Sequence, residues 1–364
     1  MSEINFDPVT LTQSLVKCAS VTPKDEGALT VVENHLSAIG CDCHPLTFSG
    51  NNSYEVKNLF ATIGNEGKHF AYAGHTDVVP VGNESSWKYP PFSAKIDEGK
   101  LYGRGSEDMK SSVACFISAA KRFVDKYKNI PGKISFIITG DEERDSVNGT
   151  PRILEWASKQ NYKFDHCLVG EPTSKNEVGD KVKIGRRGSV SFFFQVKGIQ
   201  GHTANSHLAE NSSHHLVNLL NSILEEPLDE GNENFLPTSV QIATIDIGNP
   251  VQNVIPELAK ATVNIRFNDM HSSDSLIKWI DNKIEKIFSK LENASCTYTY
   301  DATAESFLNK AGDLYNIISK SISDISGKNS PPEQATDGGT SDARYIKNYC
   351  EVVELGLRNQ TLHK

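Results

Sequence analysis

Short apolar runs bounded by glycine or charge recur through the first half of the chain: FAYAG before His75, ISFIITG before Glu142 and HCLVG before Glu171. Runs of this length read as buried strands of a parallel sheet, and strands are predicted at about 57–63, 69–74, 133–139 and 166–170. Helical spacing alternates with them. Asp7-Pro8 predicts a helix opened by a capping side chain and a first-turn proline, with Leu11, Leu15 and Val16 facing inward. Residues 28–39 repeat apolar positions at helical spacing and stop at Gly40, a predicted left-handed cap. Lys110 to Tyr127 reads as an amphipathic helix with a stripe of Val113, Phe116, Ile117, Ala120, Phe123 and Val124, and Thr150-Pro151 starts another. Alternating strands and helices imply a parallel sheet covered by helices.

The texture changes after Arg187. SVSFFFQVKG, SVQIATIDIG, LAKATVNIRFN and CTYTYD read as strands with partial alternation, and helices are predicted at about 212–224 and 274–290. This β-α-β-β-α-β order suggests a ferredoxin-like α+β domain inserted into the first. After about residue 303 the α/β pattern returns, ending in the run EVVELG a few residues before His363. The expectation is therefore an α/β fold with a mostly parallel sheet and helices on both faces, formed by 1–187 and 303–364, with 188–302 inserted. The polar loop 326–342 is long for a compact domain, and such loops are often functional.

At 364 residues the chain is long enough for two cores, and its 38 % hydrophobic and 23 % charged content is that of an ordinary globular protein. The formal charge of −9 argues against a general nucleic-acid binder, which needs a basic footprint. No apolar stretch approaches the roughly 20 residues of a membrane span. MSEINFDPVTLTQ has neither a basic start nor an apolar core, so a signal peptide is not expected. Seven scattered cysteines, with only Cys41 and Cys43 close together, suggest reduced thiols and a cytoplasmic location.

Candidate chemistry changes the picture most. His75 and Asp77 form H-T-D, Asp108 lies in G-R-G-S-E-D-M-K, Glu142 and Glu143 are adjacent, Glu171 sits in G-E-P-T, and His363 is next to last. Most follow directly on a predicted strand, and open α/β sheets gather ligands at the carboxyl ends of strands. Imidazoles and carboxylates at one rim are suited to zinc, cobalt or manganese. Two histidines can serve two metals, one each, if a carboxylate bridges. Two divalent cations, three ligand carboxylates and one hydroxide then carry no net charge, which a partly buried site tolerates best. An E-E pair offers one ligand and one general base. Asp77 is placed to orient the His75 imidazole.

GHTDVVP, W-x-x-P-P-F (Trp87 to Phe92), LYGRGSEDMK, DEE, GEPT, RRGS, GHTA, NVIP and GGTSDAR together resemble the dinuclear-zinc peptidase/deacylase family over nearly the whole chain. That resemblance implies a zinc-peptidase-like catalytic domain and an inserted domain that acts as lid and makes a homodimer. It implies two zinc ions per subunit, replaceable by cobalt. One is held by His75 and Glu171, the other by Glu143 and His363, with Asp108 bridging. Glu142 is then the base, Asp77 the support of His75, and His202 of the partner subunit an oxyanion donor. Arg186, Ser189, Asn253, Arg266, Thr340 and Asn359 would hold the carboxylates and amine of the substrate.

Within the family this motif combination implies hydrolysis of N-succinyl-L,L-2,6-diaminopimelate, a step of lysine and diaminopimelate biosynthesis. The alternatives are another N-acyl-amino-acid deacylase, such as one acting on acetylornithine, or a metal-poor scaffold. Three carboxylates on the substrate suit fork-shaped guanidinium groups. Asn205 stands where the resemblance implies a substrate-contacting tyrosine. The sequence stops at Lys364, one residue past His363, from which weaker binding of the second zinc is expected.

Overall fold

A computed structural model describes residues 4–50, 52–127, 129–309 and 312–362. They form two compact units, the first comprising 1–184, 309–335 and 341–364, the second 185–308 with 336–340. The sequence places the boundaries a few residues away and leaves 336–340 with the first unit. The difference has a local cause. Gly185–Arg186 pairs antiparallel with Phe307–Leu308, a ribbon too short to show as a periodic pattern.

The first unit is built on an eight-stranded mixed sheet. Its order is Asp42–Gly50, Ser53–Gly64, Lys133–Thr139, His69–His75, His166–Val169, Glu351–Glu354, Lys181–Lys183, Glu333–Ala335. The central four, from Lys133–Thr139 to Glu351–Glu354, run parallel. Asp42–Gly50 and Ser53–Gly64 add antiparallel pairs at one side. The edge strand Asp42–Gly50 is absent from the sequence reading. None of its residues is fully buried and it carries Pro45, so it lacks an apolar run.

Period-two alternation sends neighbouring side chains to opposite faces. Leu59 and Ala61 pack with Phe136, Ile138 and Tyr72 under the helices Pro8–Lys17, Ala28–Ala38 and Ser111–Lys126. Phe60, between them in sequence, meets Trp156 of the helix Thr150–Lys159 and Tyr162. Helices thus cover both faces. Local signals hold as read: the Asp7 carboxylate accepts from the Thr10 amide at 2.9 Å, Pro8 opens the helix, and Gly40 has φ +90°. Lys110 differs. It precedes the helix that begins at Ser111, and it is fully buried.

In the second unit the strands order as Ser239–Asp246, Leu258–Phe267, Gly188–Lys197, Ser295–Ala304, all antiparallel. With the helices Ser212–Leu224 and Ser273–Phe288 this is the ferredoxin-like arrangement. Val190, Phe192, Phe194 and Val196 bury one face against Leu216, Leu219, Leu220, Leu276 and Ile280. The other face leaves Phe193 about half exposed. Among the described residues no helix is long and apolar enough to cross a membrane.

Candidate metal centre

The strand His69–His75 delivers a buried imidazole to the carboxyl rim of the sheet. Nδ1 lies 2.9 Å from the carbonyl oxygen of Asp77, to which it donates. Nε2 faces carboxylates: Asp108 Oδ1 at 3.2 Å, Glu171 Oε1 at 3.7 Å and Glu142 Oε2 at 4.0 Å. The Asp77 carboxylate does something other than expected. Its Oδ1 is 3.6 Å from Nδ1, beyond hydrogen-bond distance, so the backbone carbonyl orients the ring instead. The carboxylate accepts from the amides of Glu142 and Glu143, each at 3.2 Å, and from Thr22 Oγ1 at 2.7 Å. Asp77 thereby pins the acidic pair beside the histidine.

Glu142 and Glu143 follow the strand Lys133–Thr139, and Glu171 follows His166–Val169. Asp108 lies in the short irregular turn Ser106–Lys110, entered through Gly105 at φ +82°. Two overlapping sets result, His75–Asp108–Glu143 and His75–Glu142–Glu171, each with its ligand atoms within 4.8 Å of one another. His363 lies outside the described residues.

This concentration of acid is unfavourable without a cation. Burial pushes the Glu142 carboxyl well above the usual carboxylate range, and Asp342, Glu143 and Asp108 add to the shift against the opposing His75. Burial raises Glu171 likewise, with Asp108 and Glu142 adding repulsion. Burial alone would lower His75, but the Asp108 hydrogen bond and the charges of Asp108, Asp77 and Glu171 hold it well above its ordinary value. Glu171 Oε1 is buried with no hydrogen-bond partner. Carboxylate oxygens, one imidazole lone pair and an unmatched acceptor fit divalent cations of hard to borderline character.

Several buried groups around the cluster escape sequence reasoning. Asp342 accepts from Ser146 Oγ at 3.1 Å and Thr150 Oγ1 at 2.6 Å, and burial raises its carboxyl. Arg344 is buried, which would lower its guanidinium, yet Tyr345, Asp342 and Glu142 raise it overall. Glu354 accepts from Ser341 Oγ at 2.6 Å. The signal was present for two of these, since Asp342 and Arg344 lie in the GGTSDAR motif. The Lys110 ammonium, pushed down by burial to about 8, is hydrogen-bonded inside the first unit.

The substrate-holding candidates gather in smaller groups. In the second unit, buried Arg186 donates Nη1–H to the carbonyl of Gly339, next to Thr340, at 3.0 Å. Ser189 faces Arg266 across paired strands, and Asn264 joins them, donating to Ser189 Oγ at 3.4 Å and accepting from Arg266 Nε at 3.1 Å. His202 and Asn253 are exposed neighbours on another ribbon: the Thr203 amide donates to the Asn253 carbonyl, and His202 Nδ1 accepts from the Ala204 amide at 3.0 Å. Asn205 is exposed in the turn Thr203–Leu208. Asn359 belongs to the first unit, where its amide donates to the Ser174 carbonyl at 2.9 Å.

The profile of Peptidase family M20/M25/M40 matches residues 71–364. A succinyl-diaminopimelate desuccinylase of Parvibaculum lavamentivorans is 44 % identical over 359 residues, 99 % of this chain and 90 % of that protein. One of Ehrlichia canis is 45 % identical over 360 residues, 99 % and 92 % of the two chains. Among solved structures, a tripeptidase of Staphylococcus aureus superposes with a TM-score of 0.74 at 17 % identity, covering 97 % of this chain and 90 % of that one.

Proposed function

Because the chain belongs to the M20/M25/M40 peptidase family, we propose that it is a metal-dependent amidohydrolase that converts N-succinyl-L,L-2,6-diaminopimelate and water to succinate and L,L-2,6-diaminopimelate. The substrate follows from near-full-length identity of 44–45 % to two proteins named for that reaction. The observation that carries the chemistry is the single imidazole nitrogen, at the carboxyl end of its strand, facing three carboxylates within 4.0 Å.

Zinc is the metal proposed, with cobalt able to substitute. His75 and Glu171 would hold one ion, Glu143 and His363 the other, and Asp108 both. Bound there, the ions acidify water and polarise the amide carbonyl. Glu142 takes the proton from the attacking water and returns it to the leaving amine as the C–N bond breaks. A carboxyl raised above its ordinary range by burial suits both halves of that task. Asp77 holds the two glutamates in place through their amides. In a homodimer, His202 of the partner subunit would donate to the developing oxyanion. Arg186, Ser189, Asn253, Arg266, Thr340 and Asn359 would bind the substrate's carboxylates and amine, with the second unit as lid and dimerisation domain.

The test is hydrolysis of N-succinyl-L,L-diaminopimelate with added zinc, beside N-acetylornithine, for the parent and Glu142→Ala. Turnover of the succinyl compound alone, abolished in the variant, supports reaction, substrate and base together. Turnover of acetylornithine alone would transfer the reading to the other deacylase.

A further inference from the structure

The segment 18–22 carries no candidate ligand, yet it is tied to two loops that do. Lys110, two residues after Asp108, donates its three ammonium protons to the carbonyl oxygens of Leu15 at 3.0 Å and Cys18 at 2.8 Å and to Ser20 Oγ at 2.8 Å. The Ser20 hydroxyl, having accepted from Lys110, donates onward to the carbonyl of Thr76 at 2.6 Å, the residue between His75 and Asp77. The same segment grips that turn twice more. The Val78 amide donates to the Ser20 carbonyl at 3.0 Å, and Thr22 Oγ1 donates to Asp77 Oδ2 at 2.7 Å. Lys110 and Ser20 are both 0 % exposed.

Burying an ammonium is costly unless its protons are matched, and an apolar side chain of similar volume would pack there without that cost. What the lysine supplies and methionine cannot is direction: three donors aimed at three fixed acceptors hold the Asp108 turn at a set place. His75 and Asp108 are 33 residues apart in sequence, and their 3.2 Å approach needs such a link. We propose that Lys110 and Ser20 are positioning residues that fix Asp108 against His75 and so set the affinity of the cluster for a divalent cation. This rests on the metal-dependent reading above.

Metal-free full-length protein, titrated with Co2+ against a chelating dye, tests it. Lys110→Met should weaken Co2+ binding by ~10–100-fold, the range typical of lost outer partners, and Ser20→Ala in the same direction by ~3–10-fold. Both should alter the visible Co2+ spectrum. Leu36→Ala, a buried core change in the helix Ala28–Ala38, serves as control: it should lower thermal stability while leaving Co2+ affinity within ~3-fold. Parent-like affinity in folded Lys110→Met would overturn the proposal, as would a loss no larger than that of Leu36→Ala. If Lys110→Met fails to fold, Ser20→Ala decides by the same comparison. A parent that binds no Co2+ would instead sink the metal-dependent reading itself, and this proposal with it.

Discussion

The two units each contain a crowd of like charges, of opposite sign. In the first, Glu142 and Glu171 are driven toward protonation by burial and by each other. In the second, burial lowers the Arg266 guanidinium and neighbouring Arg187 lowers it further, while Arg187 Nε is buried without a hydrogen-bond partner. Like charges gathered together cost stability, and such crowding is frequent at functional sites. The negative crowd fits cations, and the positive one fits the carboxylates of an acidic small molecule. The difference lies in how each is held. Carboxylates and His75 sit at strand ends and in turns pinned by backbone amides, as rigid ligands must. The arginines project from paired strands on long side chains, which suits a substrate that comes and goes.

Removing the cation should have the largest effect. Chelation should take hydrolysis to the uncatalysed background, and Zn2+ or Co2+ should restore it; activity surviving exhaustive chelation would end the metal reading. Glu142→Gln should come next, lowering kcat by ~10²–10⁴-fold. Metal content measured by elemental analysis should stay at the parent level, and loss of metal instead would make Glu142 a ligand rather than the base. On the positive side, Arg266→Lys keeps the charge but loses the fork. It should raise KM by ~10–100-fold with kcat little changed. Equal changes in kcat and kcat/KM would shift Arg266 from binding to the reaction itself.

The smallest effect is in stability. Glu142 and Glu171 are raised well above 4.5 and His75 well above 6.5. Each therefore binds more protons folded than unfolded in the window above its ordinary value, so its stabilising contribution is full below that value and is lost as pH rises through the folded one. Metal-free protein should accordingly melt at lower temperature at pH 8 than at pH 5. Divalent metal should raise Tm more at the higher pH, since it replaces those protons. A metal-free Tm that rises over that interval would show that the cluster does not govern the pH dependence.

The sequence by itself determined most of the scaffold and the roster of the cluster. Apolar runs ending in glycine located the central parallel strands, because a strand buried on both faces must be apolar throughout. Asp7-Pro8 and Gly40 marked helix ends because caps are local chemistry. His75, Glu142, Glu143 and Glu171 were readable because ligands follow strand ends, and Asp108 from the motif around it. Tertiary structure alone decided the rest. That the Asp77 carbonyl, not its carboxylate, orients His75 depends on a distance of 2.9 against 3.6 Å, which no spacing encodes. Lys110 looked like the first residue of an amphipathic helix, and only packing against the chain end of the helix Pro8–Lys17 turned it inward. Ser20, Asp342 and Glu354 have the composition of surface residues. They became part of the site because partners more than a dozen residues distant in sequence supplied their hydrogen bonds. Patterns along a chain report what each segment can bury, whereas which buried groups meet depends on contacts that only the closed fold creates.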